Sequence, residues 1–318
     1  MTDAHILRVA LAQIAPVWLN KVETISKIET WIKKAAKEEA ELVVFGESLL
    51  PGYPYWISLT NGSAFNSKIQ KEINAHYIRN AVEIESGDLN NICELAKQHK
   101  IAIYIGVIEK ALNRGNHSIY CTLVYINQLG EIRSVHRKLQ PTFEERLTWA
   151  PGDGHGLRTH SLKAFTVGGL NCWENWMPLS RTALYAMGED LHIAVWPGAK
   201  RNTENITRFI AEESRSYSIG VSGLMRKSDF PSNTPHLDII LENAPEILSD
   251  GGSCIAGPDG KWIVEPVINK EYLIVRDLNF NSVLEERQNF DVAGHYSRPD
   301  VTKLFVNRER QSLIEIKD

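Results

Sequence analysis

Four side chains of this 318-residue sequence have the chemical types that catalysis through a nucleophilic thiol requires. Cys172 lies between the apolar stretch FTVGGL and a predicted helical segment, and a thiol near a helix N-terminus gains thiolate character from the free amides. Glu47 and Glu145 are candidate proton acceptors, and Lys138 is a candidate cation for the atom that becomes negative. Taken singly, each has a structural alternative: a small buried thiol, or a charged strand end held in an ion pair.

Aromatic and proline residues lie beside these four candidates in the sequence. The stretch PGYPYW follows Glu47 closely, and further rings come directly after Cys172 and at the end of the apolar stretch LHIAV. Rigid turns that carry aromatic rings suit the wall of an apolar pocket, although an ordinary packed loop is the alternative. The predicted substrate-binding residues are Tyr53, Trp173, Trp196 and Pro197.

Alternating strands and helices must position these side chains. The stretches RVALAQI, LVVF, IAIYIGVI and FTVGGL have the composition of buried strands, with amphipathic helical spacing between them. Two hairpins are predicted, over Ser118–His136 and over Ser253–Val264, with turns at 127–130 and 257–260. Glu47, Lys138 and Cys172 each follow a predicted strand, and strand ends are where catalytic groups gather in α/β sheets. The mixture of crossovers and hairpins predicts mixed sheets.

An internal similarity suggests a two-fold arrangement of these sheets. The unit RVALAQI, helix, EEAELVVFGE is matched in pattern by the unit FTVGGLNCW, helix over Leu179–Met187, GEDLHIAVWPG. No linker rich in Pro, Gly or Ser divides the chain, so we expect one domain over 1–318, with a tail of about 281–318 available for oligomer contacts. The polar segment Phe230–Gly251 is expected to be a surface excursion that serves as a lid or partner contact.

The composition excludes several classes of protein. A formal charge of −4 and a pI near 6.2 argue against a nucleic-acid partner, and no stretch has the roughly 20 apolar residues of a membrane span. Met1–Val9 does not resemble a secretory signal, and the cysteines are widely spaced, so we expect a cytoplasmic protein. Cys93, Cys121 and Cys254 are expected to be core thiols. His136 and His155 lack metal-ligand spacing, and no dinucleotide fingerprint is present, so neither a metal nor an organic cofactor is predicted.

Taken together, six stretches resemble the nitrilase branch of the carbon–nitrogen hydrolase superfamily. They are FGESLLPGYPYW, HRKLQPTFEERLTWAPGDG, GGLNCWENWMPL, HIAVWPG, GGSCIAGPDG and DVAGHYSRPDV, and the resemblance covers the chain from about Arg8 to Leu304. The resemblance implies an α/β fold, a four-layer αββα sandwich with two mixed sheets packed face to face. It also implies a catalytic set of Glu47, Lys138, Glu145 and Cys172, with Glu144 as the neighbour of Glu145. Gly46 and Ser48 depart from the family pattern around Glu47 but leave every catalytic position occupied.

The resemblance further implies a reaction. We expect hydrolysis of a small organic nitrile to the carboxylic acid and ammonia through a thioimidate on Cys172, without metal or cofactor. Amide hydrolysis, cyanide degradation and a non-catalytic scaffold are the alternatives. The aromatic residues predict a largely apolar pocket that favours arylaliphatic or medium aliphatic nitriles over cyanide. The resemblance also implies homodimers or larger homo-oligomers, with Phe230–Gly251 and Arg308–Asp318 as candidate contact segments.

Overall fold

Two mixed β-sheets form the centre of the molecule, which is known from a computed structural model that describes residues 4–314. The first sheet has the strand order β13-β1-β2-β3-β4-β5. Strands β1 and β2 and strands β2 and β3 are parallel, and the other neighbours are antiparallel. The bounds are β1 Ile6–Gln13, β2 Leu42–Phe45, β3 Ala102–Lys110, β4 Ile119–Ile126, β5 Ile132–Arg137 and β13 Tyr272–Asn279.

The second sheet has the order β10-β11-β9-β8-β7-β6, with β12 paired to β11. Its parallel pairs are β7 with β8 and β8 with β9. The bounds are β6 His160–Leu162, β7 Phe165–Asn171, β8 Leu191–Trp196, β9 Tyr217–Ser222, β10 Leu224–Arg226, β11 Ile247–Ala256 and β12 Trp262–Ile268. The second predicted hairpin is formed by β11 and β12, and the first by β4 and β5.

Helices cover the outer faces of both sheets. Their bounds are α1 Lys21–Lys37, α2 Trp56–Leu59, α3 Lys68–Asn80, α4 Asn90–His99, α5 Pro178–Tyr185, α6 Lys200–Ser214, α7 Leu237–Asn243 and α8 Phe280–Arg287. The longest, α1, begins where the Asn20 side chain accepts a hydrogen bond from the backbone of Glu23, and it buries Ile28 and Ile32 against the first sheet. Within 4–314, no helix has the length and apolar composition needed to cross a bilayer.

Three apolar layers of packing define the predicted sandwich. The central layer joins facing residues of the two sheets, among them Val44 and Tyr125 of the first and Ile193 and Val221 of the second. A second cluster packs α1 and α4 on the outer face of the first sheet, and smaller clusters lie beneath α5 and α6 on the second. The order of layers is therefore helices, sheet, sheet, helices, as the resemblance implied.

The internal similarity of the sequence corresponds to two equivalent strand–helix–strand units. One unit is β1, α1 and β2 in the first sheet, and the other is β7, α5 and β8 in the second. In contrast, the segment Phe230–Gly251, predicted to be a surface excursion, is partly buried. It contains α7 and the start of β11, and Phe230 and Ile240 are buried in a cluster with Trp18 and Trp56.

Candidate active site

Lys138 lies at the end of β5 and is completely buried between two carboxylates. Its ammonium donates to Oε1 of Glu47 over 2.8 Å and to Oε2 of Glu145 over 2.7 Å. Its backbone is fixed on both sides, because its N–H donates to the carbonyl of Cys121 and its carbonyl accepts from Gly152. Lys138 is thus held in one place by main-chain and side-chain contacts together.

Glu47 follows β2 and lies where the ends of β2 and β8 meet. Its N–H donates to the carbonyl of Trp196 over 3.2 Å, which ties the two sheets together at this point. Ser48, the next residue, has a φ of 51°, a left-handed conformation that non-glycine residues rarely adopt. Oε1 of Glu47 accepts from Lys138 and from the thiol of Cys121, whereas Oε2 is buried without a hydrogen-bond partner among the described residues.

Glu145 is held by a short 3-10 helix over Phe143–Leu147. Its Oε2 accepts from the backbone of Thr142 as well as from Lys138, and its Oε1 accepts from the Tyr53 hydroxyl over 3.1 Å. The same hydroxyl contacts Glu144, which is half-buried, while Glu145 is buried. The structure therefore brings Glu145 into contact with Lys138, while Glu144 lines the same cavity beside it.

Cys172 begins a 3-10 helix directly after β7. It is 3% exposed and has a φ of 48°, a strained backbone conformation of the kind found at reactive positions. Its carbonyl accepts from the side-chain amide of Asn175, which contacts His192, and His192 in turn contacts Glu189. A fully buried polar chain therefore fixes the turn that carries the thiol.

Burial dominates the ionisation of this cluster. It raises the pKa of Glu47 to about 7 against the opposing effect of Lys138, and it raises the pKa of the Cys172 thiol, with the charge of Glu47 as a further cause. For Lys138, burial alone lowers the pKa, but Cys172, Glu47 and Glu145 together raise the pKa well above its usual value. The lysine is consequently a permanent cation, and Glu47 exchanges its proton near neutral pH.

Oxygen and sulfur atoms of Glu47, Glu145 and Cys172 lie within 4.8 Å of one another, a spacing that a metal ion could bridge. The ammonium of Lys138, however, is hydrogen-bonded to both carboxylates of that group. It supplies the positive charge between them that a metal would otherwise provide. The donor set is better matched to the lysine than to a divalent ion.

A cavity of about 570 Å³ opens onto Cys172. Of the predicted substrate-binding residues, Tyr53, Trp173 and Pro197 line it, and Trp173 is half exposed. Trp196 does not line it: the ring is buried with Ala194 and Ile206 on the helix side of β8. The wall is more polar than predicted, since it also contains Thr142, Glu144, Arg201, Asn202 and Ser249.

One further residue near the cluster, Glu174, was not predicted from the sequence. Glu174 is buried and accepts from the backbone of Leu139 over 2.6 Å, from the backbone of Asn171 over 2.9 Å and from His136. Burial raises the pKa of Glu174, but His136 and these donors reverse the effect, so its pKa is lowered. Glu174 thus ties the segment after Lys138 to the segment before Cys172. The sequence signal that could have identified Glu174 was its position two residues after Cys172.

Comparisons with known proteins agree with this geometry. The family model "Carbon-nitrogen hydrolase" matches residues 8–288. The chain is 36% identical over 310 residues to "Nitrilase 2" from an unknown prokaryotic organism, with 97% of this chain and 95% of that protein covered. It is 33% identical over 313 residues to "Aliphatic nitrilase" of Sinorhizobium fredii (strain HH103), with 96% and 97% covered.

A solved structure, the carbon–nitrogen hydrolase from Helicobacter pylori G27, superposes with a TM-score of 0.70 at 18% identity, over 93% of this chain and 97% of that one. The chain therefore belongs to the carbon–nitrogen hydrolase family. The predicted resemblance to its nitrilase branch and the predicted sandwich are both confirmed.

Proposed function

We propose that the protein hydrolyses an organic nitrile to the carboxylic acid and ammonia, with Cys172 as nucleophile. The observation that carries this proposal is the buried group of Cys172, Lys138, Glu47 and Glu145 at the base of a cavity. The sequence similarity to proteins named nitrilases supports the substrate class. A thiol, a proton acceptor and a fixed cation are what addition to a carbon–nitrogen triple bond requires.

In the first step, Glu47 takes the proton of the Cys172 thiol and the sulfur attacks the nitrile carbon. One π bond breaks, its electron pair moves to nitrogen, and the proton from Glu47 completes a covalent thioimidate. Lys138 stabilises the negative charge that develops on nitrogen, together with the N–H of Trp173, which is directed at the Cys172 sulfur. A pKa of Glu47 near 7 suits a group that must both take and return a proton.

Hydrolysis then takes two waters. Glu47 removes a proton from the first water, which adds to the thioimidate carbon and gives a tetrahedral intermediate. Protonation of its nitrogen lets ammonia leave, and a thioester remains. A second water, activated in the same way, cleaves the thioester to the acid and returns the thiol. We infer that Glu145, held by Thr142 and Tyr53, keeps Lys138 in position throughout.

Amide release is the second outcome that the same atoms permit. If the tetrahedral intermediate expels the sulfur rather than ammonia, the product is the amide. The acid is proposed as the main product on the similarity to nitrilases, and the product ratio is open to measurement.

We infer a substrate with an organic group of moderate size. A cavity of about 570 Å³ is much larger than cyanide, and burial of apolar substrate surface gains roughly 25 cal/mol per Å². Tyr53, Tyr55 and Trp173 provide apolar wall, while Arg201 and Asn202 of the same cavity offer hydrogen-bonding groups for a polar substituent. Medium aliphatic or arylaliphatic nitriles with one polar substituent match this lining.

Ammonia release from a nitrile panel tests the proposal. The panel contains aliphatic and arylaliphatic nitriles, the matching amides and cyanide, with acid and amide separated by chromatography. We expect ammonia and acid from the organic nitriles with the wild-type protein and none with Cys172→Ala. Activity on amides alone would replace the proposal with amide hydrolysis, activity on cyanide alone would replace it with cyanide degradation, and silence on every compound would favour a scaffold.

The domain and oligomer predictions stay proposals. We infer one domain, because the tail packs back onto it: Arg310 pairs with Asp153 over 3.0 Å and donates to the carbonyl of Val135. The last residues of the predicted contact segment, 315–318, lie outside the described residues.

We propose that a homodimer forms through the exposed rings of Trp176 and Phe209, and light scattering of Phe209→Ser against wild type tests it. Cytoplasmic location stays a prediction.

A further inference from the structure

Cys121 contacts two residues of the candidate active site, although it follows no strand end and carries no motif. It lies in β4 and is 1% exposed. Its thiol donates to Oε1 of Glu47 over 3.2 Å, and its carbonyl accepts from the backbone of Lys138 over 2.8 Å. One residue thus holds the side chain of the proposed base and the main chain of the proposed cation.

The Cys121 thiol makes the hydrogen bonding of the two Glu47 oxygens unequal. Oε1 accepts from both Cys121 and Lys138, and Oε2 has no hydrogen-bond partner within the described part of the chain. A buried carboxylate oxygen without a donor is costly, and it is free to accept a proton from a reacting group. Rotation of the carboxylate would exchange the two oxygens, and a second donor on Oε1 opposes that rotation.

We propose that Cys121 is a positioning residue for the nitrile hydrolysis proposed above, which keeps Oε1 of Glu47 occupied so that Oε2 receives the proton of Cys172. The proposal rests on that function for its kinetic consequences. The contact itself is independent of any substrate. Cys121 takes no part in bond formation.

Titratable groups from several elements surround Glu47. Lys138 approaches from the end of β5, Glu145 from its 3-10 helix, Cys172 from the end of β7 and Cys121 from β4. The hydroxyls of Tyr53, Tyr55 and Tyr77 complete the set, and the charge of Glu47 contributes to raising the pKa of each. The hydrogen bond from Cys121 favours the charged form of Glu47, so its loss raises the pKa of Glu47.

A merely structural role for Cys121 is the alternative. The residue also packs in an apolar cluster with Ile108, Ile119 and Trp149, so a smaller side chain leaves a cavity. A packing defect lowers stability, or lowers activity by the same factor at every pH. Loss of a donor to Glu47 moves the acidic limb of the pH profile instead.

Four variants separate the two roles. Cys121→Ala and Cys121→Val both lack the donor but change the volume in opposite directions, and Cys121→Ser keeps a donor. Cys254→Ala is the matched control, because Cys254 is a buried thiol in the other sheet that bonds to Thr207 and does not contact Glu47. At least one donor-free variant is expected to fold, since each differs from cysteine by about one heavy atom.

The first measurement is kcat/KM against pH for a nitrile that the wild-type protein hydrolyses. In Cys121→Ala and Cys121→Val we expect the apparent pKa of the acidic limb to rise by about 0.5 to 1. At pH values below that limb, kcat/KM should therefore fall by roughly threefold to tenfold. Cys121→Ser and Cys254→Ala should keep the wild-type limb. Superimposable limbs for wild type and both donor-free variants would overturn the proposal, as would a uniform loss at all pH values.

The second measurement needs no nitrile. The rate of Cys172 alkylation by iodoacetamide, followed by peptide mass spectrometry across pH, reports proton transfer from the thiol. We expect its midpoint to move upward in both donor-free variants and to stay in place in Cys121→Ser and Cys254→Ala. If the wild-type protein hydrolyses no nitrile and the midpoint still moves, the proposed function fails while the role of Cys121 stands. If nitriles are hydrolysed and neither the kcat/KM profile nor the alkylation profile moves in the donor-free variants, the proposed function stands and the role of Cys121 fails.

Discussion

Two buried ion-pair clusters begin at neighbouring residues of the chain and have opposite properties. Arg137 and Lys138 follow one another at the end of β5, and both are almost completely buried. Arg137 binds Glu109 through two nitrogens, at 2.9 and 2.6 Å, and Thr122 donates a further hydrogen bond to the same carboxylate. Lys138 instead lies between two carboxylates with a thiol nearby.

The difference lies in how the charges are matched. The arginine cluster pairs one cation with one carboxylate whose two oxygens both have donors, and such a site resists change. The lysine cluster has two carboxylates for one cation, one oxygen of Glu47 without a partner and a Glu47 pKa of about 7. A mismatched cluster costs stability but leaves a group able to exchange protons, which is the requirement of an active site.

The largest expected effect is in Cys172→Ala. Turnover should fall to the uncatalysed level while the protein stays folded, because no other described thiol lines the cavity. Ammonia release and circular dichroism measure the two properties. Turnover within tenfold of wild type would contradict the covalent mechanism.

Lys138→Met and Arg137→Met break the two clusters separately. Lys138→Met should lower kcat by about 10²–10³-fold, since it removes the donor to the developing charge. Arg137→Met should instead lower the free energy of unfolding by about 3–5 kcal/mol, because Glu109 is left as an unpaired buried charge. Urea unfolding and kcat of the folded protein separate the effects, and a stable Arg137→Met protein without activity would refute the distinction.

Glu145→Gln should have an intermediate effect. The amide keeps the acceptor for Tyr53 or Lys138 but removes the charge that holds Lys138, so we expect a loss of roughly 10–100-fold in kcat with a smaller change in KM. Glu144→Gln is the matched control at the half-buried neighbour. A severe Glu144→Gln and a silent Glu145→Gln would reverse the two roles.

The smallest expected effect concerns stability against pH. Glu47 has a raised pKa in the folded state, so the folded protein binds more protons than the unfolded chain between about 4.5 and 7. Its contribution to stability is present at low pH and is lost as the pH rises through 7. Glu47→Gln should remove that fall. We therefore expect the free energy of unfolding of Glu47→Gln, relative to that of wild type, to increase between about pH 4.5 and 8. A difference that stays constant over this range would contradict the assigned pKa of Glu47.

Local patterns of the sequence predicted most of the fold. The apolar strands, the two hairpins and the repeated strand–helix–strand unit depend on short-range periodicity, and the structure has them at nearly the predicted residues. Phe230–Gly251 was harder to predict, because Phe230 and Ile240 are buried in a cluster with Trp18, which is distant in the sequence.

The same limit applies to the candidate site. Glu47, Lys138 and Cys172 follow strands, and strand ends indicate reactive positions. Trp196 ends a strand in which every residue is buried, so no alternation indicated that its ring lies on the helix side. Cys121 is buried in the middle of a strand that has no exposed residue, and its contact with Glu47 depends on the lateral order of β2 to β5.

Strand β1 pairs along its whole length with β13, Ile6 opposite Asn279. During synthesis on the ribosome, the edge of β1 therefore stays without this partner until Tyr272–Asn279 has emerged. Pairing between the two ends of a chain is slow, and an unpaired edge attracts other nascent chains. Because β1 is the neighbour of β2, the strand that Glu47 follows, assembly of the catalytic centre is tied to nearly complete translation. A nascent chain that ends before β13 is consequently expected to be inactive and to require a chaperone.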